Sequence, residues 1–222
     1  MTCPPAEALE SFLTRLWPLV PLAATIEDRL RADFYRQESD RDHARAALEF
    51  EEFLDQLALE VDIEPLTEDT TTRARQLVRR TTQFTLGTAT ADDLDRWREH
   101  GEVWTATARD RFGDYGLISV LALRNEGDVL RITGWQLSCR ALARGVEERL
   151  LQWVADRADA LGCATVHLSV DHTPRNEPAR RLAARLHGSS TSEGPQTVTI
   201  TPNRLREFRS WHTTANTQEV TG

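Results

Sequence analysis

The feature that most constrains the fold is an apolar strand that runs through a short turn directly into a long amphipathic helix. The strand is predicted at residues 129–139 and the helix at 146–161. The first N–H groups of a helix lack an intrahelical partner, and the helix dipole adds positive charge there. Gly145 allows close approach to the backbone, and Arg140 and Arg144 add cationic donors. This predicts a pyrophosphate-binding loop without a lysine; the alternative is an ordinary turn with exposed arginines.

Around this unit the chain alternates between short strands and amphipathic helices. The order is strand, two helices, three antiparallel strands, the long helix, strand, helix and strand, with a hairpin turn predicted at Gly113-Asp114. This order predicts an α/β (α+β) fold, a mixed and mostly antiparallel sheet flanked by helices. The predicted ranges are 59–63, 68–84, 91–100, 103–109, 117–124, 129–139, 146–161, 165–170, 178–186 and 196–201.

The first part of the chain has a different pattern. Helices are predicted at 6–17, 25–39 and 50–59, with no buried strand between them. We therefore expect a helical N-terminal region at 1–58, the sheet domain at 59–203, and a polar C-terminal tail at 204–222.

Composition excludes several classes of function. The net charge of -8 argues against nucleic acid as a partner. No apolar run reaches the roughly 18 residues that span a bilayer, so we expect a cytoplasmic protein without a membrane partner. All 27 basic residues other than histidine are arginines, which excludes a lysine nucleophile. The three cysteines, Cys3, Cys139 and Cys163, are far apart, so neither a disulfide framework nor a metal site is expected.

Two segments resemble GNAT acyltransferases. Arg140-x-x-Ala143-x-Gly145 is similar to the family's Q/R-x-x-G-x-G/A loop, and residues 176–188 are similar to its N-x-x-A-x-x-F-Y-x-x-L-G-F motif. The resemblance implies a GNAT-like fold that binds acyl-CoA or the phosphopantetheine of an acyl carrier protein. The residues implied in that binding are Leu137, Ser138, Arg140, Ala143, Arg144, Gly145, Val146 and Asn176.

The chain departs from the GNAT pattern at two places. Ala143 stands where the family usually has glycine, which adds a Cβ at the point of close approach. Leu182-Ala183 replaces the Phe-Tyr pair, whose tyrosine protonates the departing thiolate in many GNAT acetyltransferases. Both departures argue against an ordinary CoA-dependent N-acetyltransferase.

Three longer segments resemble the C-terminal, GNAT-like half of FkbH-like proteins. RTTQFTL (80–86), ARDRFGDYGLI (108–118) and LSCRALARGVE (137–147) are similar to that family's TNQFNLT, VRDRFGDxGLVG and LSCRVLGRGVE. Members join a HAD-type phosphatase to this half, and are associated with loading a glyceryl unit onto an acyl carrier protein in polyketide-type biosynthesis. The only D-x-D here, Asp93-Leu-Asp95, lies in a polar predicted helix, so we expect a chain that lacks the HAD half.

Cys139 is the candidate nucleophile, because the strand that ends there faces the thioester in a GNAT fold. Arg140, Arg144 and the helix N-terminus are expected to lower the pKa of its thiol, and the thiolate could then accept an acyl group. The alternative is a buried cysteine that packs as a small apolar residue. His172 follows the next strand and is a candidate base or hydrogen-bond partner for Cys139; the alternative, which the pattern favours, is a histidine in a surface loop.

Three functions follow from these observations. The first is an acyltransferase of natural-product biosynthesis that moves a small acyl group to or from a CoA or carrier-protein thioester. The second is a non-catalytic module that docks an acyl carrier protein or a separate HAD phosphatase through a basic surface. The third is a CoA-dependent N-acetyltransferase. The arginines expected in the basic surface are Arg140, Arg144, Arg149, Arg175, Arg180, Arg181 and Arg185.

Overall fold

The computed structural model describes residues 33–35, 37–38, 41, 56–86, 92–188 and 196–208. The chain divides into two compact units, residues 1–47 and 48–222. In the first unit, residues 33–35 and 37–38 are helical, within the helix predicted at 25–39. The helix predicted at 6–17 and most of the one predicted at 50–59 lie outside the described residues.

A six-stranded sheet forms the centre of the second unit. Its strands follow the chain order β1-β2-β3-β4-β5-β6, and every neighbouring pair is antiparallel except the parallel pair β4–β5. The mixed, mostly antiparallel sheet predicted from the sequence is therefore confirmed. The strands are β1 (Glu60–Pro65), β2 (Glu102–Asp110), β3 (Gly113–Asn125), β4 (Val129–Leu137), β5 (Thr165–Val170) and β6 (Gln196–Ile200).

Helices cover both faces of this sheet. Successive residues of a strand point to opposite faces, so β3 shows which helix packs where. Val120 and Ala122 share a cluster with residues of the two helices before β2, whereas Leu121 and Leu123 share a cluster with residues of the long helix after β4. The helices are α1 (Glu68–Arg80), α2 (Asp93–His100), α3 (Val146–Ala160), α4 (Glu177–His187) and α5 (Pro202–Arg206).

Local signals explain where α1 begins. Thr67 and Thr70 form a reciprocal capping box, in which each side chain accepts a hydrogen bond from the other residue's backbone N–H. Glu68 and Asp69 lie in the first turn, where carboxylates complement the helix dipole. α1 ends at Arg80, before the predicted end at residue 84, because residues 84–86 pair with β4 instead.

The β2–β3 hairpin turns earlier than the sequence predicts. Asp110 pairs with Gly113, so Arg111 and Phe112 form the turn and Gly113-Asp114 already belongs to β3. The Asp110 carboxylate accepts hydrogen bonds from the backbone N–H groups of Phe112 and Gly113, at 2.8 and 3.0 Å. An aspartate side chain that satisfies N–H groups two and three residues on favours a turn at that place.

The C-terminal helix α5 crosses residue 204, where the polar tail was expected to begin. Thr201 caps this helix and Leu205 is completely buried in the main core. Arg206 pairs with Asp156 and Asp159 on α3. None of the described helices is both long and apolar enough to cross a membrane.

Candidate functional site

A cavity of about 430 Å³ opens where α1 faces the end of β4. Its lining comes from two segments that are far apart in sequence, the second half of α1 with residues 81–83, and residues 137–140. The Cys139 side chain is exposed and is not in a disulfide. The lining residues are Arg73, Gln76, Leu77, Arg80, Thr81, Thr82, Gln83, Leu137, Ser138, Cys139 and Arg140.

The backbone holds Cys139 at the first position of a short 3-10 turn. Ser138 is buried, and its N–H donates to the carbonyl of Ile118 on β3 at 2.8 Å. The 3-10 turn covers Cys139–Ala141, and the N–H of Ala141 donates to the Ser138 carbonyl. β4 thus ends at Leu137, and the hydrogen bond of Ser138 to β3 connects the turn that begins at Cys139 to the sheet.

The loop between this turn and α3 has the backbone of a glycine-rich loop. Ala143 and Gly145 both adopt left-handed conformations, with φ of 59° and 81°. Glycine adopts this region without penalty, whereas another residue pays about 1–2 kcal/mol. Ala143 therefore keeps the conformation expected of the glycine that GNAT loops usually carry at this position.

We expect Ala143→Gly to leave the free energy of unfolding unchanged or to raise it by up to about 1 kcal/mol, because relief of the left-handed alanine offsets the entropy cost of glycine. Ala141→Gly is the matched control, since Ala141 is buried in the same loop without a positive φ. Urea denaturation of both variants measures the difference. An equal loss of stability in both would show that the φ of Ala143 stores no strain.

Glu147, the second residue of α3, has a buried carboxyl group. One of its oxygens accepts a hydrogen bond from the Ala143 N–H at 3.2 Å, and the other has no partner among the described residues. Burial raises the pKa of Glu147 to about 7, against the opposing hydrogen bonds from the N–H groups of Glu147 and Ala143. The N–H groups of Ala143 and Glu147, at the start of α3, thus donate to the carboxyl group of Glu147. No role for Glu147 was predicted from the sequence.

A chain of hydrogen bonds holds the Arg144 side chain against the β2–β3 hairpin. Its guanidinium donates to the Tyr115 hydroxyl at 2.7 Å, and that hydroxyl donates to the Asp110 carboxylate. The pKa of Tyr115 is raised, first by burial and then by its hydrogen bond to Asp110. These hydrogen bonds tie the loop before α3 to the β2–β3 turn, which gives the charged residues of the hairpin a structural role.

Beyond Ile132, the edge of β4 that faces β5 is paired with another segment of the same chain. β4 and β5 pair only through Val129–Ile132 and Thr165–Leu168, so the second half of β4 has a free edge. Residues 84–86 fill it: Leu86 N–H donates to the Trp135 carbonyl at 3.0 Å, and Leu137 N–H donates to the Phe84 carbonyl at 3.1 Å. The gap between β4 and β5 is closed there.

Asn176 braces this closed gap. It is completely buried, and its side-chain N–H groups donate to the carbonyls of Asp171 and Thr85, at 2.5 and 3.4 Å. Its side-chain oxygen accepts the Thr173 N–H at 3.0 Å. These bonds connect the loop after β5 with residues 84–86, so they favour a bracing role over direct contact with a ligand.

The structure does not bring His172 to Cys139. His172 is exposed in the loop after β5 and is absent from the cavity lining. Its role as a base stays a prediction that the cavity does not support. Cys163 is buried, with its thiol 3.3 Å from the Gly127 carbonyl, in keeping with a structural cysteine. The described residues contain no group of three or more metal-binding side chains.

The comparisons with known proteins find similarity in structure only. No family model matches the chain, and no curated protein matches it. A ribosomal-protein-S18-alanine N-acetyltransferase from Escherichia coli is 15% identical, with 64% of this chain and 94% of that chain covered and a TM-score of 0.48. A GNAT-family acetyltransferase from Staphylococcus aureus Mu50 is 7% identical, covers 64% and 99%, and has a TM-score of 0.47. A Bacillus subtilis acetyltransferase in complex with CoA is 18% identical, covers 52% and 68%, and has a TM-score of 0.38.

Sequence identities this low show a similarity of fold and nothing about the reaction of this chain. The strand order, the parallel β4–β5 pair and the long helix after β4 agree with the fold class predicted from the sequence. The paired edge of β4 and the buried Glu147 are two features that the sequence did not predict.

Proposed function

We propose that this chain is an acyltransferase that moves a small acyl group between a thioester and an acceptor. The observation that carries the proposal is the exposed thiol of Cys139 in an arginine-lined cavity at the end of β4. A thiol on a rigid strand end, accessible from a cavity of small-molecule size, meets the geometric needs of a nucleophile. The resemblance of residues 137–147 to the FkbH-like motif also supports it.

The proposed chemistry is thioester exchange. The Cys139 thiol gives up its proton and attacks the donor's carbonyl carbon, a new C–S bond forms, and the donor's C–S bond breaks. The departing thiolate takes up a proton, which leaves an acyl group on Cys139. Attack by an acceptor thiol reverses these steps and regenerates the cysteine. Arg140 lies beside Cys139 in the lining and supplies positive charge near the reacting atoms.

The closed β4 edge suggests how the thioester arrives. A pantetheine arm between β4 and β5 would have to displace residues 84–86, which already bond to Trp135 and Leu137. The cavity instead reaches Cys139 from the side of α1. We therefore propose that the pantetheine of CoA or of an acyl carrier protein enters along α1, with a natural-product carrier protein as the preferred donor or acceptor and a separate HAD phosphatase as a further partner.

Two of the seven arginines expected in the basic surface have partners within the chain. Arg144 bonds to Tyr115 and Arg181 pairs with Glu177, whereas Arg149 and Arg175 are exposed. An acidic carrier protein would then contact fewer arginines than the seven expected. Carrier-protein docking remains part of the proposal on the strength of the family resemblance.

Intact-protein mass spectrometry tests the proposal. Wild type, Cys139→Ala and Cys163→Ala are incubated with a panel of acyl-CoAs and acyl carrier proteins. We expect an acyl adduct on wild type and on Cys163→Ala but not on Cys139→Ala, since Cys163 is buried away from the cavity. The mass of the adduct identifies the acyl group. An adduct that survives in Cys139→Ala would contradict the assigned nucleophile.

A second candidate, a non-catalytic docking module, is favoured by one observation, the closed edge of β4. A module of this kind would bind an acyl carrier protein and yield neither adduct nor transfer in the same experiment. A third candidate, a CoA-dependent N-acetyltransferase, also fits the fold; Leu182 and Ala183, which are packed in the core, replace the usual Phe-Tyr pair, so another group would have to protonate the thiolate. Transfer that persists without an adduct in Cys139→Ala would favour direct transfer of that type.

A further inference from the structure

The backbone donors at the start of α3, which the sequence predicts to bind a pyrophosphate, already bind a carboxyl group of the chain. Glu147 is 3% exposed, and one of its carboxyl oxygens accepts the Ala143 N–H at 3.2 Å. Its own backbone N–H bonds to the same carboxyl group. A phosphate at such a place needs the N–H groups of the loop and of the first helical turn, because these groups lack partners within the helix. Glu147 therefore takes two of the donors that a phosphate would need.

The charge of this carboxyl group also opposes an anion at the loop. The residue before Glu147 and the residue three positions after it, Val146 and Leu150, are buried in the main core. Water and salt screen a buried charge less than an exposed one, so it acts more strongly on a neighbouring anion. Glu148 adds a second acid to the first turn of α3, and its charge opposes the ionisation of Glu147. A pyrophosphate would bring further negative charges next to these two acids.

The cations near the start of α3 interact with other groups of the chain. Arg144 donates to the Tyr115 hydroxyl at 2.7 Å, and its guanidinium lies over the Tyr115 ring, 5.3 Å from the centroid. On α4, the charge of Glu148 acts on Arg185 and opposes the lowering of its pKa by burial. A phosphate at this loop would have to compete with Tyr115 and Glu148 for these two guanidinium groups.

We propose that Glu147 excludes the phosphate groups of CoA, or of a carrier protein's pantetheine arm, from the start of α3. The residues of this loop do not fit a pyrophosphate while the Glu147 carboxyl group is ionised, although the loop sequence predicts one there. The proposal rests on the proposed function in naming the thioester that carries these phosphates. Glu147 is a specificity-determining residue in this assignment, which agrees with a pantetheine arm that enters along α1 and not along the loop.

The backbone N–H signals of Gly145 and Val146 in NMR spectra test this exclusion without any acyl transfer. Sulfate is the probe, because it resembles a phosphate and stays a dianion at every pH used. At pH 7.5 we expect no saturable shift of these signals in wild type. Glu147→Gln should give a saturable shift, with an affinity for sulfate about tenfold higher, the effect of removing one buried charge beside a dianion. Glu148→Gln should give a smaller gain, because Glu148 is partly exposed, and the exposed control Glu99→Gln should behave as wild type.

A second measurement needs no variant. At pH 5.5 the Glu147 carboxyl group of wild type is protonated, so sulfate should then shift the Gly145 and Val146 signals. Equal affinities for sulfate in wild type and Glu147→Gln at pH 7.5 would overturn the proposal. So would the absence of a shift both in Glu147→Gln and in wild type at pH 5.5, because the loop would then reject sulfate whatever the charge of Glu147. No acyl donor is used, so these outcomes do not depend on whether Cys139 forms an acyl adduct.

Discussion

Replacement of Glu147 by glutamine is expected to remove a large pH dependence from the stability of this protein. Burial raises the pKa of Glu147 to about 7 in the folded chain, from an ordinary value of 4.5. The folded state therefore holds a proton that the unfolded state loses as the pH rises through this window. The contribution of Glu147 to the free energy of unfolding is fully present below the pKa of its carboxyl in the unfolded state. It is lost as the pH rises toward the pKa of the same carboxyl in the folded state. Since each pKa unit is worth about 1.4 kcal/mol, the loss by pH 8 approaches about 3 kcal/mol.

Glutamine keeps the shape of the side chain and cannot ionise. Its oxygen can still accept the Ala143 N–H, while its NH₂ group replaces a carboxyl oxygen without a described partner. The absolute stability can therefore shift either way, and the decisive quantity is the slope with pH. Urea unfolding at pH 5, 6, 7 and 8 should show a decline in wild type that Glu147→Gln lacks.

Glu99→Gln is the matched control, because Glu99 is exposed on α2. It should decline with pH as wild type does. Parallel curves for wild type and Glu147→Gln would mean that Glu147 is ionised at little cost in the folded protein. The start of α3 would then carry a fixed negative charge at neutral pH, which would oppose a pyrophosphate at that loop.

Glu147 also shows what sequence reasoning could have found. Val146, Leu150, Leu151 and Val154 are apolar and buried, and Glu147 lies on the same side of the helix three and four positions before two of them. An acid on the apolar face of a predicted helix signals either a buried partner or a raised pKa. No role was predicted for Glu147, because the predicted phosphate-binding loop depended on the turn before the helix and not on this face.

The architecture was predictable because it depends on local patterns. The alternation of β2, β3 and β4 and the helical spacing of α3 are visible in the sequence, and their order leaves few sheet topologies. The strand was predicted to continue to Cys139, whereas β4 ends at Leu137 and Cys139 begins the 3-10 turn two residues later.

The closed gap and the cavity were not predictable in this way, because each joins segments far apart in sequence. Thr85 meets Gln136, and Arg73 shares a cavity with Cys139. Residues 81–86 lack a strong period, and residues 81–84 were predicted to be the end of the helix that begins at residue 68. Their family resemblance indicated that they matter, but a resemblance in sequence does not say that they form a strand-like pair with β4. The Tyr115–Arg144 contact is hidden for the same reason.

Asn176→Ala is expected to destabilise the protein by about 3 kcal/mol, since buried backbone groups that lose their partners cost about 1–3 kcal/mol each. The change removes the donors for the carbonyls of Thr85 and Asp171 and the acceptor for the Thr173 N–H. Asp171 is exposed and water can replace one of these bonds, which keeps the expected loss below the full sum. Denaturation with urea measures it, and Asn203→Ala, on an exposed position of α5, is the control.

This prediction separates two roles of Asn176. If its amide contacts the pantetheine, as the resemblance implies, the variant should fold normally and bind thioesters more weakly. If the amide braces residues 84–86, stability should fall, and hydrogen exchange of the Leu86 and Leu137 N–H groups should accelerate because they hold the β4 edge closed. Faster exchange at those two groups with little change in α3 would identify residues 84–86 as the part that Asn176 holds. A loosened edge would then give pantetheine access between β4 and β5, so increased acyl transfer in this variant would assign that gap, rather than the cavity along α1, as the path of the arm.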